Sequence, residues 1–593
     1  MNPLLPLLQI NNLTVDFPGA ESTSPALQDF SLELNRGEML AVVGESGSGK
    51  TVMSLTLMNL LSGAARIRQG SILFSPDGRE VVDLLRVPEK KFRSYRGNRL
   101  AMIFQEPMTS LNPVMTCGDQ LCEPLIQHKK LSRSKAKAEA FLLLEKVQMP
   151  DRDRIYKSYP HQLSGGQKQR VMIAMAISCH PDILICDEPT TALDVRVQRN
   201  ILDLLKYLRT SENIGMIFIT HDLGLVADMA DRALVMLKGR LVESGPVNEI
   251  FTNPGNPYTR GLIQCRPALH TKGRRLPVVS DFIESNRDAI KNLENQLKQT
   301  KPAIQSVRVQ GNGPVLKASQ SIVSEPELLV RVKDLSVRFS SGKNWLGRDK
   351  HGLDAIRDIN FDVFRGETLG LVGESGSGKT TVGRALLGLN KPIRGTITYG
   401  GVNLLTMSKG ELLNFRKNIQ IVFQDPYSSL NPRLLVGNAI AEPIKVHESL
   451  GLAERKKRVF ELLQNVDLNP EHFNRYPFEF SGGQRQRIVI ARALALYPGF
   501  VVFDESVSAL DVSVQAQVLN LINDLKKNLG FTAVFISHDL SVIRYLCDRV
   551  IVMEKGRIVE SGDADTVYSN PQTEYTRSLI EAIPGKNLQK SPY

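Results

Sequence analysis

No stretch of this 593-residue chain is apolar for long enough to cross a bilayer. Its longest apolar runs, such as Val171–Ser178 (VMIAMAIS), fall far below the roughly 18 residues a membrane helix needs. No secretory signal is expected: MNPLLPLLQI is apolar but has two prolines, no basic start and no small-residue cleavage pattern. The expectation is a protein that is soluble or sits on a membrane through a partner. Cysteine is scarce. Six in the whole chain exclude a dense disulfide scaffold and make a reducing compartment the default. Cys117, Cys122, Cys179, Cys186, Cys265 and Cys547 show no CxxC spacing, so buried or incidental thiols are expected rather than metal ligands.

The composition itself is ordinary. With 42% hydrophobic residues, 23% charged residues and 44 glycines, it excludes a disordered, collagen-like or coiled-coil chain. The length suggests roughly four structural units at about 150 residues each, too many for one hydrophobic core. Lys and Arg number 74 against 62 Asp and Glu, a net charge of +12. Such a surplus permits nucleic acid, an anionic membrane face or phosphate ligands, and a solvated basic surface is the default.

What the chain does have is an internal repeat. GESGSGKT occurs at Gly44–Thr51 and Gly373–Thr380, SGGQ at Ser164–Gln167 and Ser481–Gln484, and an Asp-Glu pair at 187–188 and 504–505. ALDV begins at Ala192 and Ala509, and His-Asp follows an apolar run at 221–222 and 538–539. The two lysines lie 329 residues apart, but the later motifs all repeat at 317. The first half therefore carries additional residues early on, mostly between Lys50 and Gln105. A period this long is a duplicated domain. Between the halves, residues 284–327 lack a sustained apolar period and contain Lys301-Pro302 and Gly311-Asn312-Gly313-Pro314. They read as a linker with a short helix near Asp288–Lys298.

Both octamers match G-x-x-x-x-G-K-[ST]. Each lies between an apolar strand (Met39–Val43, Leu369–Val372) and a helical pattern (Val52–Leu61, Thr381–Leu389). Gly44, Glu45, Ser46, Gly47, Ser48, Gly49, Lys50 and Thr51 form one phosphate loop. Gly373, Glu374, Ser375, Gly376, Ser377, Gly378, Lys379 and Thr380 form the other. Their glycines let backbone N–H groups turn inward around phosphate oxygens, and the helix N-terminus adds its positive end. Lys50 and Lys379 neutralise the terminal phosphates, and Thr51 and Thr380 offer a hydroxyl to Mg²⁺.

Ile183–Glu188 and Val501–Glu505 are strands ending in two acids. Parallel strands present ligands at their carboxyl ends, so the acids face the phosphate loops. Asp187 and Asp504 suit the Mg²⁺ shell, and Glu188 and Glu505 suit polarising an attacking water. His221 and His538 end strand-like runs; a lone His of this kind is more often structural, but its recurrence at the same offset in both halves favours contact with the γ-phosphate and the water. Gln105 and Gln424 also end strands, and a neutral amide there can bond Mg²⁺ or water reversibly.

With the signatures Leu163-Ser164-Gly165-Gly166-Gln167 and Phe480-Ser481-Gly482-Gly483-Gln484, the chain resembles ATP-binding cassette (ABC) ATPases. That resemblance implies an α/β fold of two phosphate-loop NTPase cassettes, each with a RecA-like core and a helical subdomain, near Glu123–Leu163 and Glu442–Phe480. It implies that two ATP are bound head to tail. Lys50, Asp187, Glu188 and His221 then face Ser481–Gln484, while Lys379, Asp504, Glu505 and His538 face Ser164–Gln167. Asp194 and Asp511 match the family's inter-cassette loop, and Phe17 and Phe339 are candidate adenine stackers or core aromatics.

FQEPMTSLNP (Phe104–Pro113), FQDPYSSLNP (Phe423–Pro432) and the Tyr-Thr segments Asn253–Thr259 and Asn570–Thr576 resemble the dipeptide and oligopeptide importers. The fused arrangement is similar to glutathione and related peptide importers. The implied domains are cassette 1 (1–250), its extension (251–283), the linker (284–327), cassette 2 (328–567) and its extension (568–593). The implied cofactors are ATP and Mg²⁺. Some relatives hold a four-Cys iron–sulfur cluster after the Tyr-Thr motif, but only Cys265 lies nearby here, so no cluster is expected. Phe480 departs from the usual signature Leu, and Ser506-Val507 replaces the Pro189-Thr190 pair; both departures leave the ligand residues in place.

The implied partners are two transmembrane permease subunits, docked near Gln105–Pro113 and Gln424–Pro432, and an extracytoplasmic substrate-binding protein. Nucleic acid is not expected, and membrane contact runs through the permeases. The implied location is peripheral, on the cytoplasmic face of the bacterial inner membrane. The alternative is a soluble tandem cassette acting on ribosomes or DNA. Such proteins carry charged arms, zinc modules or an iron–sulfur domain, which this sequence does not show. A detached exporter ATPase is disfavoured by the same motifs.

Overall fold

Short apolar runs bounded by turns set the strands of the first half. They are β1 (Leu8–Asp16), β2 (Leu27–Leu34), β3 (Met39–Val43), β4 (Arg66–Phe74), β5 (Val82–Asp83), β6 (Leu100–Ile103), β7 (Ile183–Asp187), β8 (Gly215–Thr220), β9 (Arg232–Leu237) and β10 (Arg240–Pro246). The second half repeats them. They are β11 (Leu328–Phe339), β12 (Leu353–Phe364), β13 (Thr368–Val372), β14 (Arg394–Tyr399), β15 (Val402–Asn403), β16 (Ile419–Val422), β17 (Phe500–Asp504), β18 (Thr532–Ser537), β19 (Arg549–Glu554) and β20 (Arg557–Asp563). The computed structural model describes residues 5–17, 25–105, 110–191, 193–284, 327–339 and 353–585. The linker expected over 284–327, with its helix near 288–298, lies outside them save for its two end residues.

Every residue of β3, β7, β8, β13, β17 and β18 is buried. Continuous apolar strands of this kind suit a parallel sheet covered on both faces. The first half orders them β10-β9-β3-β8-β7-β6, and the second β20-β19-β13-β18-β17-β16. All pairs are parallel except the edge strands β10 and β20. An antiparallel sheet packs on one face of each, in the orders β2-β1-β4-β5 and β12-β11-β14-β15. This is the expected α/β architecture in duplicate.

The helices after the phosphate loops run Lys50–Leu57 and Lys379–Leu386, earlier than the apolar pattern suggests. Gly49 and Gly378 start them in the left-handed region, at φ 103° and 101°. Left-handed Asn59 and Gly388 stop them (φ 50° and 64°). The helical subdomains also begin earlier than expected, with helices Cys117–Lys129 and Val436–His447. Their first N–H groups are satisfied by the returning chain, Cys117 donating to the Ser158 carbonyl and Val436 to that of Arg475, both at 2.9 Å. Periodicity cannot foresee a partner 41 and 39 residues away.

The helices Val247–Thr252 and Ala564–Ser569 cross the boundaries expected at 250 and 567. After them come Pro257–Gln264 and Glu574–Glu581. One apolar cluster runs from Val43 and Val226 of the first half through Tyr258, Cys265 and Leu276 into Phe503, Leu519 and Val542 of the second. The two halves therefore share part of one core.

Candidate active site

Each phosphate loop is shaped by backbone that side chains cannot follow. Gly44 sits at φ 154°, where a Cβ would lie 2.3 Å from the Met236 carbonyl oxygen; at Gly373 the distance to the Met553 oxygen is 2.2 Å. Only glycine fits. The lysines are buried and folded back onto their own loops. Lys50 Nζ donates to the Gly44 carbonyl at 2.7 Å, to that of Glu45 at 2.8 Å and to Ser48 Oγ at 3.3 Å. Lys379 Nζ donates to the Gly373 and Glu374 carbonyls at 2.7 and 2.9 Å. Burial lowers both ammonium pKa values against the nearby acids, chiefly Glu188 and Glu505.

β7 and β17 end beside these loops, as parallel order requires. Asp187 and Asp504 are buried. Burial, with Glu188 alongside, pushes Asp187 up to about 6, against Thr51 and Lys50. Burial likewise raises Asp504, whose Oδ1 accepts from the Thr380 hydroxyl at 3.0 Å. Glu188 and Glu505 follow at φ 46° and 47°, a left-handed conformation uncommon for such residues. Strain of this kind at the same place in both halves aims the carboxylates.

The carboxylates are held differently. Glu188 Oε1 pairs with His221 Nδ1 at 3.0 Å, and Oε2 accepts from Gln105 Nε2 at 3.0 Å and from the Thr191 hydroxyl at 2.9 Å. Burial alone would raise its pKa, but the His221 bond and charge hold it down at about 2. Glu505 accepts from Gln424 Nε2 at 2.9 Å, while His538 Nδ1 lies 3.5 Å away. Ser508, in the place of Thr191, donates instead to the Glu505 backbone carbonyl at 2.9 Å. In both halves the glutamine turns its N–H₂ to the glutamate, which leaves the carbonyl end for other ligands. Hydroxyl, carboxylate and amide oxygens are the donor set of a hard cation, and Thr51, Asp187 and Gln105, or Thr380, Asp504 and Gln424, supply one of each.

The halves meet at these loops. Ser46 N–H donates to Asp511 Oδ2 of the second half at 2.8 Å. Arg196 pairs with Glu374 at 2.9 Å; residue 513, its counterpart, is a buried serine. Asp194 is used otherwise than Asp511: its side chain caps its own helix by accepting from Val197 N–H at 2.9 Å. A cavity of about 680 Å³ opens at the second loop, lined by Phe339, Lys379, Gln424 and Glu505, and by Thr191 and Leu193 of the first half. Gly165 of the signature packs on that same Leu193, a Cβ there lying 3.4 Å from its side chain. Ser164 and Ser481 cap their own helices, accepting from Gln167 and Gln484 N–H at 3.3 and 3.4 Å. Among the described residues no hydrogen bond joins either serine to the opposite loop. Phe17 and Phe339 are 37% and 49% exposed, and Phe339 lines the cavity. Of the expected docking segments, residues 106–109 lie outside the described ones.

Motif spacing missed four contributors. Tyr258 and Tyr575 accept the N–H of Glu45 and Glu374, each at 3.0 Å. Thr191 and Arg196 act as above. The recurrence of Tyr-Thr at the same 317-residue offset was the available signal for the tyrosines. All six cysteines are buried and free, and burial pushes the Cys265 thiol up to about 12.

The family model described as ABC transporter matches residues 27–191 and 356–508. The model described as oligopeptide/dipeptide transporter, C-terminal region, matches 242–288 and 559–591. Similar curated proteins include the glutathione import ATP-binding proteins GsiA of Escherichia coli (strain K12) and Shigella dysenteriae serotype 1. Each is 47% identical over 584 residues, 98% of this chain and 89% of the relative. The GsiA of Salmonella typhimurium is 46% identical over 585 residues, with the same shares. Among solved structures, a dimeric ATP-binding cassette in a post-hydrolysis state bound to ADP and phosphate is 28% identical. It covers 40% of this chain and 99% of its own, with a TM-score of 0.36.

Proposed function

The chain belongs to the ABC transporter ATPases that carry the oligopeptide/dipeptide transporter C-terminal region, and from that membership we propose that it powers import of glutathione or a similar short peptide. It is an ATPase, its substrate is ATP, and it works with membrane permeases. The observation that carries the solute class is identity of 47% over 98% of the chain to glutathione import ATP-binding proteins. The same identity to import ATP-binding proteins weighs against the ribosome or DNA alternative.

The mechanism follows from the residues in place. The phosphate loops bind the triphosphate through backbone N–H groups, with Lys50 and Lys379 released from their own carbonyls to meet its charge. Phe339, and Phe17 in the other half, offer a face to the adenine. Asp187, Thr51 and Gln105, with Asp504, Thr380 and Gln424, suit Mg²⁺, which when bound neutralises phosphate charge. Glu188 and Glu505 polarise the attacking water, oriented by His221 and His538 and by Gln105 and Gln424. Ser164–Gln167 and Ser481–Gln484 present helix N-termini to the nucleotide held by the other cassette. Asp194 and Asp511 serve the junction between the cassettes.

Among the described residues no helix is long and apolar enough to cross a membrane. We assign two permeases and an extracytoplasmic binding protein to the assembly, with this chain peripheral on the cytoplasmic face of the inner membrane. A groove of about 310 Å³ beside Gln105, lined by Met58, Phe104, Pro124, Met172 and Met175, supports permease docking there. We expect no iron–sulfur cluster after the Tyr-Thr motif, because Cys265 is the lone cysteine of that extension. Uptake of radiolabelled glutathione and dipeptides by cells lacking this gene tests the reading. The wild-type gene restores uptake and the Glu188→Gln/Glu505→Gln gene does not; equal restoration by both contradicts it.

A further inference from the structure

The two C-terminal extensions do more than follow their cassettes. In the first, buried Tyr258 accepts the Glu45 N–H of its own phosphate loop at 3.0 Å. The next amide of that loop, Ser46, donates to Asp511 at 2.8 Å, at the start of helix Val512–Leu529 in the opposite cassette. Further along this same helix, buried Asn520 binds the extension again. It accepts from Leu276 N–H at 2.9 Å and donates to the Leu276 carbonyl at 2.8 Å. Tyr545, on the helix that follows His538, donates to the Arg274 carbonyl at 2.9 Å. The chain of contacts closes on itself: phosphate loop, Tyr258, extension, opposite helix, Asp511, phosphate loop.

The second extension makes the return path. Tyr575 accepts from Glu374 N–H at 3.0 Å. Ten residues on, Gly585 N–H donates to Asp228 at 3.2 Å, on the helix that follows His221. Buried Arg266 of the first extension donates to the Pro584 carbonyl at 2.8 Å. The backbones touch here: a Cβ on Gly224 would lie 2.7 Å from the Pro584 oxygen, and one on Gly585, at φ +68°, 2.9 Å from Gly224 Cα.

We propose that each extension is a strap that fixes its own phosphate loop to the hydrolytic helices of the other cassette, with Tyr258 and Tyr575 as positioning residues. The inference rests on the reading of the two sites as hydrolytic. Neither tyrosine touches a reacting atom. Each holds one amide of a loop whose next amides take phosphate oxygens, so loosening it loosens nucleotide binding. Because the strap also grips the far cassette, releasing its distal end loosens the same loop.

The test is a double-mutant cycle on the full chain, using hydroxyl deletions that keep both rings packed. In a Glu505→Gln background, Tyr258→Phe leaves the buried Glu45 N–H unpaired and raises KM for MgATP about fivefold with kcat little changed. Tyr545→Phe, in the other cassette and bonded to no phosphate loop, raises KM comparably. The double variant stays near fivefold, because both substitutions cut one strap. A product near 25-fold, or an unchanged KM in either single variant, overturns the proposal. Equilibrium binding of trinitrophenyl-ATP to the same proteins shows the same pattern without any turnover. A failure of the glutamate reading thus leaves the strap test intact.

Discussion

The unlike settings of the two glutamates give the most discriminating prediction. Thr191 and Ser508 occupy equivalent places, yet the Thr191 hydroxyl donates to the Glu188 carboxylate at 2.9 Å and the Ser508 hydroxyl to the Glu505 backbone carbonyl at 2.9 Å. Thr191→Val swaps that hydroxyl for a methyl of similar size. A hydrogen bond to a charged group contributes roughly 1.5–3 kcal/mol. Because His221 and Gln105 still hold Glu188, the lower figure applies, so orientation of the carboxylate weakens by about 1.5 kcal/mol and kcat falls roughly tenfold. Ser508→Ala removes a neutral bond that does not touch its carboxylate, so kcat at that site changes about twofold or less. Steady-state phosphate release decides it, with Thr191→Val read in a Glu505→Gln background and Ser508→Ala in a Glu188→Gln background. Equal losses at the two sites, or none at the first, refute the claim that Thr191 orients the carboxylate.

Other perturbations follow from the same geometry. Gly44→Ala drives a Cβ to 2.3 Å from the Met236 carbonyl and abolishes nucleotide binding at the first site, measured by trinitrophenyl-ATP titration, while the second site still binds. Arg196→Ala removes the Glu374 ion pair, whose side chains are 49% and 30% exposed; at about 0.5 kcal/mol after solvent screening, the second-site KM rises no more than about threefold, and less at high salt. Asn520→Ala leaves both backbone groups of Leu276 without their partner in a buried junction. It lowers unfolding stability by about 1–3 kcal/mol, read as an earlier denaturant midpoint.

The phosphate loops, the acid pairs and the duplicated α/β order were legible because each is a local pattern with its own physics. A glycine octamer between an apolar strand and a helix has few other uses, and strand-ending acids must face that loop. Helix starts at Cys117 and Val436 were not legible, since their first N–H groups are satisfied from Ser158 and Arg475. Nor was the different use of Asp194 and Asp511. Both precede a helix, and whether such a side chain caps it or crosses to Ser46 depends on what the other half presents. The strap was the furthest from view. Leu276 and Asn520 are 244 residues apart and Arg266 and Pro584 are 318 apart, and neither pair belongs to a periodic pattern. Only the tyrosines left a trace, as the repeated Tyr-Thr. The +12 charge stayed uninformative because single ion pairs such as Arg196–Glu374 act locally, whatever the total.

The account stands on Glu188 and Glu505 as the groups that polarise water. Paired measurement of ATP binding and phosphate release in the full-length Glu188→Gln/Glu505→Gln protein tests this most directly. The account predicts two bound ATP per chain with phosphate release reduced at least a hundredfold. Hydrolysis at the wild-type rate with both glutamates replaced would contradict it.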